Sequence, residues 1–219
     1  MDDLIKIVTV YALPVIFAIT LHEAAHGYVA KFFGDNTAYS QGRVSLNPIV
    51  HIDLFGTILI PIVLYFATNG QFLFGYAKPV PVNFGQLRNP KRDMAWVALA
   101  GPGANFFMAF LWIIFAFVLR AMGINEDFFY GMAQAGLLTN LVMFAFNLFP
   151  LPPLDGGRIV FSLLPHRLAY KYAQIEPYGF FIVMGLVMLH IIGFWMTPII
   201  YVANEILNLL IEPFKLLLG

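Results

Sequence analysis

The chain has 219 residues, 60% of them hydrophobic and 11% charged, where a soluble domain carries about 25% charged residues; with a mean hydropathy of +0.80, this excludes an ordinary soluble globule and points to one integral membrane domain over 1–219. The formal net charge is zero, so nothing suggests a nucleic-acid partner, and the lipid bilayer is the partner the composition implies. There are no cysteines, which removes disulfides, thiolate metal sites and cysteine nucleophiles together and leaves His, Asp and Glu to hold any metal.

A membrane span needs about 20 apolar residues. The start, Met1-Asp2-Asp3, lacks the basic stretch of a signal peptide, and no small-residue cleavage site closes the first apolar run, so residues 7–33 read as a permanent span. Pro14 lies inside it, and His22, Glu23 and His26 lie in its second half. Residues 35–92 are the difficult stretch. The apolar run 54–67 is short for a span and contains Gly56 and Pro61, and after it comes a proline-bearing piece ending Gly75-Tyr76-Ala77-Lys78-Pro79-Val80-Pro81-Val82-Asn83. Residues before proline avoid the helical region, so this piece reads as extended. Residues 94–121 form a second span and 128–150 a third, which runs into Pro150-Leu151-Pro152-Pro153-Leu154-Asp155-Gly156-Gly157. Residues 177–196 and 198–217 read as a closing pair with Pro198 at the turn.

His22-Glu23-Ala24-Ala25-His26 is H-E-x-x-H. On a helix, residues four apart share a face, so two imidazoles at this spacing can bind one zinc ion, with the glutamate between them as general base. In a soluble helix the same residues would be an ordinary solvated face; within an apolar span they are costly unless they face a protein interior and have partners. A catalytic zinc needs a third protein ligand and an open position. Asp155 is the candidate, because it sits in a Pro- and Gly-rich segment that cannot stay regular helix, and unwound backbone at membrane depth must face protein or water. The alternative for Asp155 is a helix-capping role at the water surface.

These motifs together resemble the site-2 protease family of intramembrane metalloproteases: H-E-x-x-H in an early span, Asn147-x-x-Pro150-x-x-Pro153-Leu154-Asp155-Gly156-Gly157 later, and Gly101-Pro102-Gly103-Ala104-Asn105 opening a core span. The stretches Gly42-Arg43-Val44-Ser45-Leu46-Asn47-Pro48 to Asp53 and Gly75 to Pro81 resemble its short bacterial branch, which has no PDZ domain. The resemblance covers roughly residues 7–165. It implies that one zinc ion is held by His22, His26 and Asp155, that Glu23 is the general acid and base, and that Asn147 and Asn105 position substrate or stabilise an oxyanion. Each asparagine equally suits an interhelical hydrogen bond. The implied fold is an all-α polytopic membrane protein with a three-span catalytic core, 7–165, a re-entrant or β-like segment at about 52–84, and a C-terminal helical pair, 177–217.

Ligands of one ion share one depth, so the spans ending near His26 and Asp155 run in the same direction. With 94–121 crossing between them, residues 52–84 must enter and return. One face then carries Lys31, Arg43, Lys78, Arg88, Lys91, Arg92, Arg158, Arg167, Lys171 and Lys215, and the other only Lys6 and Arg120. The basic face should be cytoplasmic. The reading is therefore a multi-pass cell-membrane protein with its N-terminus outside and its site nearer the cytoplasm. The extended piece, with Gly75, Tyr76, Lys78 and Pro79, is the candidate substrate path, since its free edge suits a substrate strand; a surface loop is the alternative. The expected substrate is a single-span membrane protein or a signal peptide, cut within the bilayer in regulated intramembrane proteolysis. A zinc or proton transporter and a silent scaffold are the competing readings. His51, near Asp53, reads as a partner of the site, a gate or a solvated residue, and His166 and His190, the latter alone in a late span, read as structural. Nothing in the sequence speaks to oligomeric state.

Overall fold

The computed structural model describes residues 2–67 and 75–218. Among them there are helices and irregular segments and no strand. Part of the expected re-entrant segment, 68–74, lies outside the described residues.

The first helix, α1, runs Asp2–Phe32 with Lys31 in its last turn, where a cation meets the helix dipole favourably. Gly34, at φ 110°, ends it. Asp35 follows, fully buried. Its carboxylate accepts from Thr37 N at 2.9 Å, at the start of the short helix α2, Thr37–Ser40, and from Asn83 N at 2.6 Å, tying the end of α1 to the far end of the 75–83 piece. A 3-10 turn at Pro48–His51 is capped by Asn47. Asp53 then caps the next helix through Phe55 N at 3.0 Å and Gly56 N at 2.7 Å. That helix opens as six residues of π-helix, Leu54–Leu59, and continues as α3, Ile60–Ala67. The described return, 75–83, has no regular secondary structure.

Two long helices follow, α4, Pro90–Ala121, and α5, Asp127–Asn147. Proline at the first position of α4 gives up no helical bond, since that N–H has no partner within the helix anyway. Three short helices come next: α6, Asp155–Leu163, α7, His166–Ala173, and α8, Glu176–Met188. The chain closes with α9, Ile192–Leu218.

The closing pair differs from expectation in where it turns. The bend falls at Leu189–Ile191, and Pro198 lies inside α9. His190 takes φ 57°, and its N–H bonds Val187 O while Ile191 N bonds Leu186 O. This double closure is the usual helix-ending motif, here without glycine. His190 is thus a turn residue, and α8, at 13 residues, is shorter than a span. Proline is tolerated within apolar helices of membrane proteins because neighbours satisfy the freed carbonyl.

Among the described residues, three helical stretches are long and apolar enough to cross a membrane, Pro90–Ala121, Asp127–Asn147 and Ile192–Phe214. Helix α1, at 31 residues, is as long as α4 to within one residue and carries the polar triplet at 22, 23 and 26. Helix α4 is central, packing on α1, α5 and α6, while α9 lies against α5 and α4. Ala109, Leu141, Ala203 and Leu207 form the buried seam where α4, α5 and α9 meet. Small residues at such seams let helices approach closely, which matters in lipid, where burial of apolar surface is not itself the driving force. Gly136 of α5 makes room for the indole of Trp112 in the same way.

Candidate active site

Helix α1 presents His22 and His26 one turn apart, both buried. Their Nε2 atoms lie 3.0 Å from each other. Asp155, the first residue of α6, brings its Oδ2 to 3.2 Å from His22 Nε2 and 3.3 Å from His26 Nε2. Asp155 reaches them because Gly156 and Gly157, with no side chains, let α6 close onto the 148–152 backbone: a Cβ on Gly156 would strike Leu148 O, and one on Gly157 would strike Pro152 N.

The far nitrogens are fixed by hydrogen bonds. His26 Nδ1 lies 2.7 Å from Val97 O, and His22 Nδ1 lies 2.6 Å from Asn105 Oδ1. Both partners belong to α4. A carbonyl oxygen only accepts, so His26 carries a proton on Nδ1, which leaves Nε2, facing Asp155, as its ligand atom. Asp155 Oδ2 is buried and, among the described residues, has no hydrogen-bond donor. Electron pairs converging at these distances call for a cation between them.

Zinc fits this donor set. Four ligands about 2.0 Å from one ion in a tetrahedron stand about 3.3 Å apart, close to the observed separations. Two imidazoles and a carboxylate are also a common catalytic zinc triad, with a position left for water or substrate. Gly101 of α4 supplies the room, because a Cβ there would run into His26 Nε2 and His22 Cε1. Among the described residues, His22, His26 and Asp155 are the one group of three or more His, Cys, Asp or Glu side chains close enough to share an ion.

Comparison with known proteins agrees. The model of Peptidase family M50 matches residues 125–190. "Putative zinc metalloprotease YwhC" of Bacillus subtilis is 38% identical over 212 residues, covering 94% of this chain and 93% of its own. The chain belongs to peptidase family M50. "Putative zinc metalloprotease Rip2" of Mycolicibacterium smegmatis is 28% identical over 190 residues, 85% of this chain and 69% of the relative. No solved structure gives a significant match. The M50 peptidase is thus a zinc metalloprotease with an all-α, membrane-type fold.

In this M50 peptidase His22, His26 and Asp155 open onto a cavity of about 740 Å³. Glu23 lines it and accepts from Val80 N at 2.7 Å. Asn147 lines it too, with Nδ2 donating to Met143 O at 3.0 Å. Asn105 does not; it is fully buried behind His22. Of the candidate substrate residues, Gly75, Tyr76 and Pro79 line the cavity, and Lys78, which is exposed, does not.

The 75–83 piece is braced from outside. Tyr76 N bonds Gly56 O at 3.0 Å, Tyr76 O accepts from Thr57 Oγ1 at 2.9 Å, and Lys78 N bonds His51 O at 2.9 Å. Arg43 Nη2 donates to Lys78 O at 2.8 Å and to Pro79 O at 3.2 Å. His51 is neither solvated nor at the cavity: it is 2% exposed, with Nε2 2.9 Å from Ser45 O. His166 is exposed at the start of α7.

Two participants escaped the sequence reading. The first is the amide of Val80, which leaves no side-chain signal. The second is Asn140 of α5, fully buried, whose Oδ1 accepts from Asn105 Nδ2 at 3.0 Å. Its signal was present: an amide inside an apolar span, two helical turns before Asn147 and so on nearly the same face.

Proposed function

We propose that this M50 peptidase is an endopeptidase that cuts peptide bonds within the membrane-spanning segment of a substrate, such as a single-span membrane protein or a leftover signal peptide, as a step of regulated intramembrane proteolysis. The carrying observation is the convergence of His22, His26 and Asp155 on one point of a cavity that sits among helices apolar enough to cross a bilayer.

In this reading His22, His26 and Asp155 would hold the metal. Zinc, when bound, supplies a Lewis acid for the scissile carbonyl and makes water more acidic. Glu23 takes the proton from the attacking water and delivers it to the leaving amine. Val80 N–H grips one oxygen of Glu23, which sets its rotamer and leaves the other oxygen for proton transfer. Asn147 spends one amide hydrogen on Met143 O and offers the second to the developing oxyanion. A helical peptide bond is shielded by its own hydrogen bonds, so substrate must be drawn out. Gly75, Tyr76 and Pro79 form the wall it lies along, with Lys78 anchoring that wall through its backbone. The charge bias of the loops supports an N-terminus outside and a site nearer the cytoplasm.

The test is incubation of the purified protein in lipid with a labelled single-span peptide, with and without a chelator. Cleavage within the apolar segment, lost with chelator and restored by zinc, is the expected result. Glu23→Gln should lower the rate about 10²–10⁴-fold while zinc content is unchanged. Cleavage surviving that substitution removes Glu23 from the reaction. Metal flux across the vesicle without cleavage replaces the peptidase with a transporter.

A further inference from the structure

We infer that Asn140 and Asn105 form a relay that sets the tautomer of His22, and that both are positioning residues for the metal site. The inference rests on the reading of His22 as a ligand.

The two histidines solve one problem differently. Each needs its proton on Nδ1 so that Nε2 offers a lone pair. Val97 O, a backbone carbonyl, can only accept and therefore settles the matter for His26 directly. His22 faces a side-chain amide, and an amide can present either oxygen or nitrogen. With nitrogen toward His22, the imidazole would have to accept at Nδ1, and its proton would move to Nε2, where it would block the metal.

What prevents that flip can be traced outward to two backbone carbonyls. Asn140 Nδ2 lies 2.8 Å from Gly136 O, which only accepts, so nitrogen must face Gly136 and Oδ1 must face Asn105. Asn105 must then present Nδ2 to Asn140, at 3.0 Å, and the same Nδ2 reaches Ala18 O at 3.2 Å. Both hydrogens of that nitrogen are committed, so Oδ1 is left for His22 Nδ1, at 2.6 Å. Asn105 and Asn140 are both fully buried, away from water that could substitute for either bond. In such surroundings an unpaired amide group is costly, and the network favours one arrangement throughout. The relay joins α4 and α5 to His22 of α1 through Asn105 and Asn140, neither of which lines the substrate cavity.

Partners of metal-bound histidines typically change metal affinity by about 10–100-fold when removed. Asn140→Leu leaves Asn105 held only by Ala18 O on its nitrogen side, and zinc affinity, measured by competition with a chelator, should fall about 10-fold. Asn140→Asp is the conservative rescue. As a neutral acid its hydroxyl can donate to Gly136 O and its carbonyl oxygen can accept from Asn105, so affinity should return to near that of the parent. A parent-like zinc affinity in Asn140→Leu overturns the relay. A second measurement needs no substitution in the relay: nitrogen-15 NMR of labelled histidine in the metal-free protein, with the signal assigned by His22→Gln. The expected spectrum has a proton on His22 Nδ1; an Nδ1 without a proton overturns the inference outright. The metal reading is tested apart from this. Asp155→Ala should lose zinc while the His22 Nδ1 proton stays in place, and zinc retained by that variant overturns the ligand assignment without touching the tautomer.

Discussion

At the scale of single residues, the metal site is shaped as much by a missing side chain as by those present. Gly101 faces the two imidazoles, and a methyl group there would occupy the space of His26 Nε2 and His22 Cε1. Gly101→Ala should therefore displace both rings. Overpacking of this kind costs about 1–3 kcal/mol of stability, and zinc affinity should fall at least 10-fold, as when a histidine loses its support. Gly103→Ala, two residues on, meets nothing within 4 Å and serves as the control; equal zinc binding by the two variants would show that Gly101 does not shape the site. His22, Glu23 and His26 were legible in the sequence because i, i+4 spacing on a helix is a strict geometric statement. Asp155 was legible as a candidate because proline and glycine announce irregular backbone, which at membrane depth must face protein or water, although a helix-capping acid carries the same local signal. Val80 was not legible, since its contribution to Glu23 is a main-chain N–H, which every residue but proline possesses. The face of Asn105 was not legible either. A span shows that an asparagine is inside, not whether it looks into the cavity or into the next helix.

At the scale of elements, the long helices were plain from apolar length, and the error lay in the closing pair. Pro198 drew the expected turn to itself, but a proline seven residues into an apolar helix is accommodated, whereas Leu189-His190-Ile191 closes α8 with two backbone bonds. The signal missed there is weak, because the residue with φ 57° is a histidine and not a glycine. For an L-residue this conformation costs roughly 1–2 kcal/mol, and histidine bears it better than most. His190→Gly should thus stabilise the protein by up to about 1 kcal/mol, with part of the gain offset by the freedom glycine has in the unfolded chain. A thermal midpoint in detergent checks the sign. A lower midpoint would mean that the His190 side chain contributes more than its backbone costs. The 52–84 segment was harder than either. Its outward helix, capped by Asp53, and its irregular return each had a sequence signal. Its bracing by Arg43, His51 and Thr57 is long-range and has no local pattern.

At the scale of the whole molecule, the ligands and the charges make one joint statement about topology. His22 and His26 lie in the C-terminal half of α1, Asp155 lies just beyond the C-terminal end of α5, and α4 lies between those two helices in the chain. If α1 and α5 run in the same direction through the bilayer, the loop between α4 and α5 is on the far side from the loops that follow α1 and α6. The basic residues fall almost wholly on the second set, and in that arrangement they face the cytoplasm. The absence of cysteine in the parent chain makes this cleanly testable with single substitutions at exposed positions. Asn125→Cys, between α4 and α5, should react in intact cells with a thiol reagent that does not cross membranes. Gln41→Cys, after α1, and Gln174→Cys, after α7, should react only once the cells are opened. The inverse pattern would keep the metal site intact and turn it to the outer face. Labelling of Asn125→Cys and Gln41→Cys from the same side would instead break the parallel arrangement of α1 and α5, and two helices that cross in opposite directions bring their C-terminal ends to opposite faces of the membrane, where no single ion can join His26 to Asp155.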